Sequence, residues 1–93
     1  MSFVKNKNEI TSMDEAQILF RNKVDKIKSY TSINNRNKVD RLLFMDANQY
    51  TNLGKDSTKT ERYNAEVNSR YIYRAIKELD KHTGELLLRA NEQ

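Results

Sequence analysis

The sequence predicts an all-α fold: a small helical domain in which two shorter helices pack on a long C-terminal helix. Three observations predict it. The 93-residue chain has no Pro and two Gly, so few residues interrupt a helix. Apolar residues recur at three- and four-residue spacing over most of the length, the period of one helix face. Two Ser/Thr-x-x-Glu sequences stand where that periodicity begins, and each has the form of a capping box.

The first helix is expected over residues 13–30. In Ser12-Met13-Asp14-Glu15 the Ser side chain takes an orphan amide and Glu15 reaches back to the cap. Asp14 and Glu15 suit the positive end of the helix dipole, and Lys26 and Lys28 suit the negative end. Met13, Ala16, Phe20, Val24 and Ile27 form the apolar face. Residues 1–11 lack periodicity and are expected to be a flexible N-terminal arm, with 12–93 a single helical domain.

A polar turn, Thr31 to Asn35, leads to the second helix. Val39, Leu42, Leu43, Tyr50 and Leu53 form its main face, and Gly54 is expected to end it. Leu42-Leu43-Phe44-Met45 is apolar on all sides, the pattern of a segment contacted from more than one direction. Asp46 falls inside the apolar face. A buried carboxylate is costly unless paired, so it requires a Lys, Arg or Tyr partner or a place at a rim.

The third helix starts at Thr58, with Glu61 completing the second capping box. Ala65, Ile72, Ala75, Ile76, Leu79 and Leu86 gather on one side. Unbroken to Ala90, the helix would be about 45 Å long at 1.5 Å per residue and would overhang the first two, at about 27 Å each. Gly84 offers an alternative stop, leaving Glu85 to Ala90 as a short extra helix. Leu86, Leu87 and Leu88 point three ways on a helix, more than one small core covers.

Composition narrows the function. With no Cys and one His, His82, neither a disulfide, a thiolate metal site nor a His cluster is available, and no cofactor or metal is expected. Ser residues lack a G-x-S-x-G frame, and His82 has no evident nucleophile or carboxylate pair beside it, so an enzyme is not expected. No apolar run of about 18 residues exists for a membrane span. Phe3 and Val4 precede Lys5 and Lys7, the reverse of a secretory signal, and a cytoplasmic location is expected. Asn and Lys are over-used, a bias common in AT-rich genomes, many bacteriophages among them.

Two binding surfaces stand out. Phe44, Met45, Leu86, Leu87 and Leu88 lie largely off the main faces and are candidates for self-association. The net charge of +4 admits an acidic partner without demanding one. Arg70, Arg74, Lys77 and Lys81 form a cationic stripe on the third helix, with Tyr73 beside it and Tyr63 and Tyr71 near, a pattern able to follow phosphates and stack on bases. Basic helix starts at Arg36, Lys38 and Arg41 and at Lys55, Lys59 and Arg62 add to this polyanion-binding set. Gly54-Lys55-Asp56-Ser57 lacks the first glycine and GK[ST] run of a phosphate loop.

The expected function is a non-enzymatic protein-interaction or assembly module, a homo-oligomer or the holder of a protein partner. Virion assembly and inhibition of a host protein both fall in that class. The alternative is a nucleic-acid- or nucleotide-binding protein that uses the basic face.

Overall fold

Four helices follow one another in the computed structural model, which describes residues 15–91: α1 (Glu15–Ser29), α2 (Asn35–Thr51), α3 (Lys59–Leu79) and α4 (Lys81–Asn91). The all-α expectation holds among these residues. Ser12, Met13 and the expected arm 1–11 lie outside them.

α1, α2 and α3 pack against one another, and α4 folds back on α3. Val24 of α1, Val39 and Leu42 of α2, and Ile72, Ala75 and Ile76 of α3 form the buried core. Each stands on a face marked by the three-and-four periodicity. Phe20, Ile27, Leu43, Met45, Leu79 and Leu87 close around it as half-buried neighbours.

Local chemistry sets the helix starts. Asn34 caps α2, its Oδ1 accepting from the Asn37 amide at 2.9 Å. Thr58 caps α3 with both halves of the capping box in place: Thr58 Oγ1 accepts from the Glu61 amide at 3.0 Å, and Glu61 Oε1 accepts from the Thr58 amide at 2.8 Å. α2 ends three residues before Gly54. Its last turn closes through the Asn52 amide on the Asn48 carbonyl, and Gly54, which has no positive φ, accepts from Ser57 in the following turn instead.

The long C-terminal helix is corrected by the structure. The chain breaks at Asp80, whose extended backbone (φ −149°, ψ 95°) separates α3 from α4. The cause is a competing cap. Asp80 Oδ2 accepts from the Thr83 hydroxyl at 2.8 Å and Oδ1 from the Thr83 amide at 3.3 Å, so the carboxylate restarts a helix where the backbone would otherwise continue one. At the other end of the break, the Leu79 carbonyl accepts from Asn35 Nδ2 of α2 at 3.2 Å.

Gly84 does not stop a helix. It lies buried inside α4, and a Cβ built there would overlap the backbone of Lys77. The missing side chain is used for close approach of α4 to α3, and that approach brings Leu87 onto the core. The overhang expected of an unbroken helix is thereby removed.

Candidate functional site

Between α1 and α2 lies an open groove of about 520 Å³. The five-residue link between the helices is short, and Lys38 ties it shut at one end: its buried ammonium donates to the Lys28 carbonyl at 2.8 Å, a cation against the negative end of α1. Phe20 and Ile27 of α1 and Met45 of α2 form an apolar floor, with Tyr30 at the closed end. Lys23 and Lys26 stand on one wall; Arg41 stands on the other, its guanidinium 5.9 Å from the Tyr30 ring centre. Asn48, Gln49 and Asn52 continue that second wall. Among the described residues no acidic side chain lines the groove.

Exposed apolar residues flank it. Leu19 is 60% exposed and lies four residues before Lys23; Phe44 is 66% exposed and lies between Arg41 and Asn48 on the α2 surface. Ile27 and Met45 pack against the core, whereas Leu19 and Phe44 stand exposed among the described residues. The result is an amphipathic groove whose described lining carries Lys23, Lys26 and Arg41, with Asp40 and Glu15 exposed one turn before Phe44 and Leu19.

Beneath the groove a half-buried polar cluster fixes α2 on α3. The Asp46 carboxylate accepts from Tyr73 Oη at 2.6 Å, from the Ser69 hydroxyl and, within α2, from Gln49 Nε2 at 3.3 Å. Since Ser69 donates to Asp46, it accepts in turn from Tyr50 Oη at 2.6 Å. The partner required for Asp46 is thus Tyr73, reinforced by Ser69. Burial, and then donation to a carboxylate, push the Tyr73 phenol well above its usual range. Tyr71 does likewise on the α1 side, donating to Asp25 Oδ1 at 2.6 Å beneath the guanidinium of Arg21; burial and this bond push its phenol up to about 12.

A serine hydroxyl against a carboxylate has the outline of a nucleophile and its base. Here Ser69 is 2% exposed between α2 and α3, and neither it nor Asp46 or Tyr73 lines the α1–α2 groove. The cluster joins α2 to α3. Among the described residues no group of three His, Cys, Asp or Glu side chains is placed to hold a metal, and no helix is long and apolar enough to cross a membrane.

The expected surfaces are rearranged by the fold. Met45 lines the α1–α2 groove, and Phe44 stands exposed next to it on α2, outside the lining. Leu87 packs on the core, Leu88 is half-buried beside Lys77, Glu85 and Arg89, and Leu86 is 49% exposed. On the basic face, Arg74 and Lys81 are exposed and Arg70 is half-buried. Lys77 lies against α4, its ammonium 3.9 Å from the Glu85 carboxylate. Tyr73 turns inward to Asp46, and Tyr63 is exposed. Of the basic helix starts, Arg41 joins the groove and Lys38 is engaged with α1; Arg36 sits with Asp40 and Asp80 in a separate groove, and Lys55, Lys59 and Arg62 stand exposed around the start of α3. His82 is exposed in the first turn of α4, and the Asp80 carboxyl beside it is held below its usual range, chiefly by the bonds from Thr83.

Sequence reading missed the groove itself. Lys26 was legible as a cation near a helix end, but its juxtaposition with Lys23 and Arg41 depends on how α1 meets α2.

No family model matches the chain, and neither a curated protein nor a solved structure is similar to it.

Proposed function

We propose that this chain is a non-enzymatic protein-interaction module whose α1–α2 groove receives an acidic, amphipathic segment of a partner protein. The observation that carries the reading is the groove's composition: an apolar floor, flanking Leu19 and Phe44, and three cations with no acidic residue in the lining among the described residues. An amphipathic segment would place apolar side chains over Phe20, Ile27 and Met45 and carboxylates against Lys23, Lys26 and Arg41. Phe44 and Met45 serve here as docking residues, so the interaction surface expected from them is kept with a heterologous occupant.

A nucleic acid along Arg70, Arg74, Lys77 and Lys81 has weaker support. The stripe bends at Asp80, and Glu85 offsets Lys77 within it. Aromatic stacking is also reduced, because the Tyr73 hydroxyl is held by Asp46.

The test is a binding titration with a synthetic helical peptide bearing Leu and Phe at i, i+3 and i+7 with Glu between them. A Lys-for-Glu version and single-stranded DNA form the comparison arms. Binding of the acidic peptide alone, weakened about tenfold by Phe44→Ala, is the expected result. Preference for DNA, with a steep salt dependence, would transfer the function to the basic face.

A further inference from the structure

The junction of α3 and α4 is one residue wide. Asp80 alone departs from helical geometry between Leu79 and Lys81, and Gly84 is already helical within α4. Residues 59–91 contain no Pro. Returning Asp80 to helical dihedrals would therefore join α3 and α4 into one helix of about 50 Å at 1.5 Å per residue. In that state the amides of Lys81, His82 and Thr83 reach the carbonyls of Lys77, Glu78 and Leu79, which compensates for the Asp80 cap. The row Ile72, Ile76, Leu79 would then continue through Leu86 on one face.

What the straight form loses is equally specific. Gly84 no longer meets the Lys77 backbone, Glu85 leaves Lys77, and Leu87 leaves the core. Seven residues of helix set Gly84 about 10 Å along the axis from Lys77, so the same chain cannot remake those contacts. A second copy can. Its vacated α3 surface has the complementary shape, including the close approach that only Gly84 allows.

We propose that α4 is an exchangeable arm, and that a second copy of this chain receives it at the Lys77 surface to form a reciprocally swapped dimer with Asp80 as the hinge. Every closed contact of α4 is regenerated between chains, so the exchange is limited by association entropy and by the Asp80–Thr83 cap. The dimer leaves the α1–α2 groove open and does not rest on the reading given above.

Asp80→Ala removes the cap and favours a continuous helix, whereas Asp80→Asn keeps a capping side chain. The size of each variant is measured by light scattering from micromolar to millimolar concentration. The wild-type chain refolded at millimolar concentration is measured as well, in case Asp80→Ala does not fold. Asp80→Ala is expected to dimerise at concentrations at least tenfold lower than Asp80→Asn. The chain has no Cys, so single-thiol copies bearing Lys77→Cys or Glu85→Cys can be mixed and joined with a short bis-thiol reagent. Crosslinking between the two kinds of copy in the dimer fraction is the expected result. Monomers throughout, or dimers in which Lys77→Cys and Glu85→Cys copies are not joined, would overturn the exchange.

Discussion

Tyr73 of α3 donates its phenol to Asp46 of α2 at 2.6 Å, and this bond lies at the centre of the polar cluster that fixes the two helices in register. Ser69 donates to the same carboxylate, and Tyr50 donates to Ser69. The cluster sets the position of α2 against α3, and with it the α2 wall of the groove, which Gln49 shares.

Tyr73→Phe should lower stability by about 1–2 kcal/mol, the usual consequence of removing one donor from a half-buried carboxylate. Asp46→Ala should cost at least as much, because it leaves Ser69 and Tyr73 without their acceptor. Urea unfolding checks both. Midpoints equal to wild type would mean that the cluster does not hold α2 on α3.

Alkaline pH should destabilise the fold before it affects the backbone. Folding raises the Tyr71 phenol from 10.0 to about 12 and raises that of Tyr73 further, so above pH 10 the folded state binds more protons than the unfolded chain. The stability these phenols contribute is complete below pH 10 and is lost as pH rises through their folded values. Unfolding midpoints measured between pH 8 and pH 12 should fall above 10, and fall less steeply in a Tyr71→Phe, Tyr73→Phe double variant. An equal fall in both proteins would locate the alkaline sensitivity elsewhere.

Gly84→Ala should cost about 1–3 kcal/mol, as overpacking of a close contact does, because the methyl meets the Lys77 backbone. It should also release Leu87 from the core, seen as greater amide exchange in α4. A stabilised variant, as Ala in place of Gly gives in an open helix, would contradict the observed approach of α4 to α3.

Much of the fold was legible because local signals agree with it. Thr58 and Glu61 announce α3, and the periodicity of Val24, Val39, Leu42, Ile72 and Ile76 marks the core. The break at Asp80 was less legible, since periodicity continues across it and a glycine four residues later draws the eye. The signal was an N-cap residue type, Asp80, three before Thr83, but its use depends on burial of Leu87 and close packing of Gly84, which are tertiary facts. The same holds for function-bearing residues. Lys38 and Arg41 read alike as cations near a helix start, yet Lys38 reaches the end of α1 and Arg41 lines the groove, a distinction set by how the two helices meet.

The most direct test of the account maps the amide shifts of the isotopically labelled protein as the acidic amphipathic peptide is added. Perturbations should concentrate on residues 19–30 of α1 and its link and on residues 41–52 of α2. Lys23→Glu with Arg41→Glu should weaken the peptide at least tenfold while leaving the helical spectrum unchanged. Shifts confined to Arg70, Arg74, Lys77 and Lys81, or no shifts at millimolar peptide, would contradict a groove built to hold a partner.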